Sequence, residues 1–122
     1  MSELQTASAA NLQMTSAMAS QAPSMALPLA LIADANPASR VRRTRQLEDR
    51  GFRVAVARTG FEAIVKASCH VPELILIDES LGAADAQETT NLLASCPATA
   101  HIPVVRVAPG RRLPSRLHAA AR

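Results

Sequence analysis

Aromatic side chains are almost missing: Phe52 and Phe61 are the only two in 122 residues, with no Trp or Tyr. The core must therefore be built from Val, Ile, Leu and Ala, and no aromatic platform is available on which nucleic-acid bases would stack. The first 39 residues hold no Lys or Arg. That excludes the basic start of a secretory signal and the arginines of a mitochondrial presequence, so a cytoplasmic protein is expected. No apolar run approaches the roughly 18 residues of a membrane span. Cys69 and Cys96 are the only cysteines; they could form one bridge but read better as reduced, half-buried small apolar residues. Neither they nor His70 and His101 complete a zinc-binding spacing. No phosphate loop, glycine fingerprint or catalytic triad occurs, so nothing marks the chain as an enzyme.

What is present suits one folded domain: 48% hydrophobic and 19% charged residues, in a length too short for two full cores. Residues 1–26 are rich in Ala, Ser, Thr, Gln and Met, with a single charge, Glu3. Such a segment buries too little apolar surface to offset its ordering entropy, and a flexible tail is expected before a domain over 27–122. Basic groups number 13 against ten acids, and all 13 lie beyond residue 39. The resulting excess is too modest to indicate a nucleic-acid binder.

From Leu27 the pattern becomes regular. "LPLALIAD" is an apolar run closing on Asp34, as in a strand buried on both faces. Asn36-Pro37 supplies an N-cap and a first-turn proline for a helix reaching Arg50, and Gly51 a left-handed stop. "FRVAVA" (52–57) reads as a second strand, and Thr59 with Glu62 has the capping-box spacing of a helix running through Ser68. "ELILIDES" (73–80) contains a third strand ending at Asp78; a helix over about 84–95 is stopped by Pro97, and "IPVVRVA" (102–108) is a fourth strand. Strands alternating with helices predict an open parallel sheet with helices on both faces. Right-handed crossovers place every strand's carboxyl end at one edge. Asp34 and Asp78 both end strands, so both belong at the edge where open α/β sheets put ligand sites. If their strands are neighbours, the carboxylates repel unless a cation or a held proton intervenes. The plainer alternative is that Asp34 begins a turn and Asp78 caps a loop.

Taken together, "LIADANPASR", "RGFRVAVARTGFEAI", "PELILIDESL" and "ATAHIPVVRVA" resemble the receiver domain of bacterial two-component response regulators, over about Leu27 to Pro109. The resemblance implies a flavodoxin-like, receiver-type α/β fold with strand order 2-1-3-4. It also implies a role in two-component phosphorelay signal transduction, with a histidine kinase, a phosphotransfer protein or a downstream effector as partner. Asp78 takes the position of the phosphoacceptor. Asp34 takes that of the first acid of a magnesium-binding pair, and the Ser80 backbone carbonyl that of the main-chain ligand. Phosphoryl transfer by this route needs a carboxylate nucleophile, Mg2+ and donors for the equatorial oxygens.

Several parts of that machinery are replaced. Ala35 stands where the second metal-binding acid is usual, so Mg2+ should be held poorly; Glu79 is the one neighbouring acid that would have to reach the metal instead. Ala108 stands where a hydroxyl residue reads the phosphoryl group, and it cannot donate. After Pro109 only "GRRLPSRLHAAAR" remains, enough for a short helix from about Pro114 but not for a fifth strand and its Lys. We therefore expect a domain incomplete at its C-terminus, a degenerate pseudo-receiver acting through protein–protein interaction; the alternative is an active receiver phosphorylated on Asp78. With four strands, the fourth is an exposed edge suited to homodimerisation or partner docking, and Arg106 either guards it or belongs to the interface. Arg40, Arg42, Arg43 and Arg45 lie together on the first helix. They form either a solvated face or a docking surface for an acidic partner.

Overall fold

The computed structural model describes residues 27–117 and 119; the expected flexible tail, residues 1–26, lies outside the described residues. Five elements come first along the chain: β1 (Leu29–Ala33), α1 (Pro37–Asp49), β2 (Arg53–Ala57), α2 (Gly60–His70) and β3 (Leu74–Asp78). A single 3-10 turn (Glu79–Leu81), α3 (Ala83–Ser95) and β4 (Val104–Val107) follow. The sheet is parallel throughout, in the order β2-β1-β3-β4, as the sequence predicts.

Local chemistry sets the boundaries. The Asn36 side chain accepts from the amides of Ala38 and Ser39, at 2.9 and 3.3 Å, and so caps α1. At the other end the Phe52 amide returns to the Leu47 carbonyl and that of Gly51 to Glu48, with Gly51 at φ 95°. This is a Schellman stop, completed by packing of Leu47 and Phe52 in one core cluster. Thr59 caps α2 through the Glu62 amide at 3.1 Å, and Glu62 reaches back to the Arg58 amide at 3.3 Å.

Strand parity divides the core in two. Leu31, Ala33, Ile75 and Ile77 face α2 and α3, where Ala63, Ala67, Ala86 and Leu93 meet them. Ala30, Ile32, Leu74, Leu76 and Val107 face the opposite layer, built from Leu47 of α1, Phe52 and Leu113. The small residues on the first side let the helices come close: a Cβ on Gly60 would run into Thr89 Oγ1, so a larger residue there would force the Thr89 side chain to shift.

The segment after β4 departs from expectation. Instead of a helix starting near Pro114, residues 114–117 form a turn in which the Leu117 amide bonds to the Pro114 carbonyl at 3.1 Å. Ahead of it, Ala108-Pro109-Gly110-Arg111 closes with Arg111 N to Ala108 O at 3.1 Å and Gly110 at φ 77°, the arrangement of a type II turn. These turns carry Leu113 back onto the α1 side of the sheet, where it is buried. The Arg50 guanidinium donates to the carbonyls of Pro114 and Leu117, so that a side chain holds the segment to the end of α1. The rest of the expected helix, 118 and 120–122, lies outside the described residues.

Candidate functional site

The even-numbered parity that turns Ala30, Ile32, Leu74 and Leu76 toward α1 continues one step further, to Asp34 and Asp78. Both carboxylates come to the carboxyl edge of the two central strands, on the α1 side, and both have no exposed surface. They share a cation, the guanidinium of Arg43. Helix α1 presents Ser39, Arg43 and Leu47, spaced four apart, as its buried face. Arg43 is 1% exposed. Its Nε donates to Asp78 Oδ2 at 2.8 Å, its Nη2 lies 2.7 Å from the same oxygen, and its Nε is 3.7 Å from Asp34 Oδ2.

Every remaining oxygen of the pair is occupied. Asp78 Oδ1 accepts from the Ser80 amide at 2.8 Å. Asp34 Oδ1 accepts from the Asn36 amide at 2.8 Å and the Ser80 hydroxyl at 2.9 Å, while Oδ2 accepts from the Ser39 hydroxyl. The Ala35 amide in turn donates to Ser80 Oγ at 3.2 Å. The outer side of Arg43 is capped by the C-terminal segment: Nη1 donates to the Arg111 carbonyl at 3.1 Å and Nη2 to that of Ala108 at 3.2 Å. No buried side-chain nitrogen or oxygen is left without a partner among the described residues. A guanidinium suits this place because its planar fork satisfies two carboxylates and two carbonyls at once, and because it is not deprotonated in a protein.

This donor set does not fit a divalent cation. Mg2+ needs about six oxygen ligands in near-octahedral geometry. The site offers two carboxylates, each with its Oδ2 facing Arg43 and its Oδ1 accepting from the Asn36 or Ser80 amide, together with the hydroxyls of Ser39 and Ser80 that donate to Asp34. No group of three His, Cys, Asp or Glu residues able to hold a metal occurs among the described residues. Ala35, the position of the second acid in the resemblance, is exposed and adds only its amide. Ser80, expected as a main-chain metal ligand, meets the pair through its hydroxyl and amide. Glu79 is turned to the opposite face of the sheet, where its carboxylate pairs with Arg106 Nε at 2.6 Å.

The arginines of α1 do not form one surface, which corrects the reading of the cluster for Arg43. Arg43 is core, for the reason just given. Arg40 is half-buried and donates to the Asp34 carbonyl at 2.9 Å. Arg42 and Arg45 are exposed. Spacing held the signal that Arg43 turns inward, because Leu47 fixes the buried stripe of α1 and Arg43 lies one turn before it. Arg106 lies over the β3–α3 connection, bonded to Glu79 and to the Gln87 side chain. Ala108 contributes a carbonyl to Arg43, where a hydroxyl was the expected feature of that position.

No protein-family model matches the chain, and no curated protein is significantly similar to it. Solved structures are. The N-terminal domain of a response regulator receiver protein from Methanoculleus marisnigri JR1 superposes with a TM-score of 0.64 at 28% identity, covering 73% of this chain and 72% of that one. The bacteriophytochrome response regulator AtBRR gives 0.56 at 27% identity over 70% and 69% of the two chains. A CheY-like response regulator receiver domain from Methylobacillus flagellatus gives 0.62 at 23% identity over 68% and 70%, a likeness of fold. With sheet order β2-β1-β3-β4 and an aspartate at the carboxyl end of both central strands, the chain has the receiver-type fold of the response regulators it is similar to, with its acidic pair held by an arginine of its own first helix.

Proposed function

We propose that the chain works as a pseudo-receiver, a binding module of a two-component system and not an enzyme, with the Asp78 carboxylate engaged by Arg43. The observation that carries this reading is the fork of Arg43 on Asp78 Oδ2 at 2.8 and 2.7 Å, in a site closed to solvent. Phosphoryl transfer to a carboxylate proceeds in line and depends on charge neutralisation at the transferring oxygens. Here the attacking oxygen is already engaged, and the cation that neutralises it belongs to the fold. Magnesium, on this reading, is not required to hold the acidic pair together.

The output is then protein–protein interaction with a kinase, a phosphotransfer protein or a downstream effector. One surface for it is the outer edge of β4, which pairs only with β3 among the described strands and is Val-rich, so its backbone groups are open to a second strand. A homodimer through this edge would stop at two copies.

The discriminating experiment treats the full chain with acetyl phosphate and Mg2+ and reads intact mass. No phosphoryl adduct on Asp78 is expected. An adduct that forms on the wild type and is lost in Asp78→Asn would establish the active phosphoacceptor instead.

A further inference from the structure

Two surface features remain outside the acidic pair, and they are complementary to one another. The first lies between α2 and α3, where the exposed Phe61 ring stands out beside a groove of about 320 Å3 lined by Gly60, Ile64, Thr89 and Leu92 and bordered by Asp85 and Glu88. Phe61 is 78% exposed and Leu92 46%, with Val65 of the next turn at 44%. An exposed phenyl ring is notable in a chain with only two aromatic residues. Asp85 and Glu88 are exposed, and α3 carries no basic residue. Neither acid makes an ion pair or side-chain hydrogen bond among the described residues. On α2 itself, Glu62 and Lys66 are matched with one another at 3.5 Å, so the unbalanced charge of this face is acidic.

The second feature is on the other side of the sheet, between α1 and the outer edge of β2. It is a groove of about 430 Å3 with Val41, Val54 and Val56 as its apolar floor and Arg40, Arg45 and Glu48 at its rim. Val41 is 55% exposed. Arg45 has no ion-pair partner among the described residues, and with Arg40 it leaves the rim basic despite Glu48. This assigns a place to the part of the arginine cluster that does not enter the core.

We propose that these faces bind each other between copies of this chain, the Phe61–Leu92 face of one molecule seating against the Val41–Val54–Val56 groove of the next, with Asp85 and Glu88 opposite Arg40 and Arg45. An apolar projection and an apolar groove placed on different faces of the same molecule make a heterologous contact, which extends head to tail instead of closing as an isologous dimer does. The charges favour a second copy as the occupant: the acidic rim repels itself, and so does the basic one, so only the unlike faces meet well. The inference does not depend on the state of Asp78, and a strand-edge dimer through β4 uses neither face.

Sedimentation velocity on the full chain and two variants tests it. The wild type should show a weight-average mass that climbs with concentration without levelling at two copies, and that falls on raising salt. Phe61→Asp removes the projection and Val41→Asp the groove. Both positions are exposed, and circular dichroism should match the wild type. Each variant alone should remain monomeric, yet an equimolar mixture should form a heterodimer and nothing larger, since it retains one intact projection and one intact groove. A wild type that is monomeric throughout, a mixture that stays monomeric, or variants that associate as the wild type does would each overturn the proposal.

Discussion

Arg43 is the residue on which the interior of this domain turns. Burying an ion pair costs desolvation that the pair's attraction only offsets when geometry is good and every lone pair is met; here two aspartates, two carbonyls and one guanidinium meet that condition. The asymmetry of such pairs predicts the effect of breaking one. Arg43→Ala leaves the buried Asp78 carboxylate without its cation and with only the Ser80 amide as donor, and should lower unfolding stability in urea by about 3–5 kcal/mol. That is a large share of the roughly 5–15 kcal/mol available to a domain of this size. Arg43→Lys retains the charge but cannot reproduce the fork, and leaving one or both carbonyl acceptors unmet should cost about 1–3 kcal/mol. A lysine variant as stable as the wild type would show that charge alone, without the planar fork, is sufficient.

Among the elements, the C-terminal segment and the α2–α3 contact are where individual side chains decide the packing. Residues 108–117 have no regular secondary structure, yet they are tied down by Arg43, by Arg50 and by burial of Leu113. Leu113→Ala should cost about 2–5 kcal/mol if the site does not collapse. In hydrogen-exchange mass spectrometry, Arg43→Ala should speed exchange over 108–117 ahead of β1 and β3; exchange that accelerates evenly across the chain would mean the segment does not depend on that arginine. At the helix contact, Gly60→Ala drives a methyl into Thr89 Oγ1 and should destabilise by roughly 1–3 kcal/mol. Adding Thr89→Ala should relieve part of that loss. A double variant no better than the single would place the strain elsewhere.

On the scale of the molecule, strand order and element boundaries were legible because local signals agreed. Asn36-Pro37 and Gly51 bracket α1, Thr59 opens α2, and two apolar runs each close on an aspartate. The meeting of Asp34 and Asp78 was legible too, since parallel order sends both to one edge. The occupant of the space between them was harder to read. An arginine within a run of four reads as surface on composition, and only the stripe Ser39–Arg43–Leu47, combined with the parity of β3, turns it inward. The path after Gly110 was least legible: its anchors are carbonyls accepting from arginines more than 60 residues earlier, and backbone acceptors leave no mark in a sequence. The same long-range ties explain why one layer of the sheet is covered by a helix together with an irregular segment.

The account rests on Arg43 and Asp78 acting as a single unit, and a double-mutant cycle measures that directly. Urea unfolding of the wild type, Arg43→Met, Asp78→Leu and the double variant gives the coupling between the two positions. Each single change should be strongly destabilising, while the double variant, which removes both members of the pair and leaves Asp34 its hydrogen bonds from Asn36, Ser39 and Ser80, should recover much of the loss, by more than about 2 kcal/mol relative to the sum of the singles. Single effects that add to within about 0.5 kcal/mol would contradict the account, because Asp78 would then be held by something other than the arginine beside it.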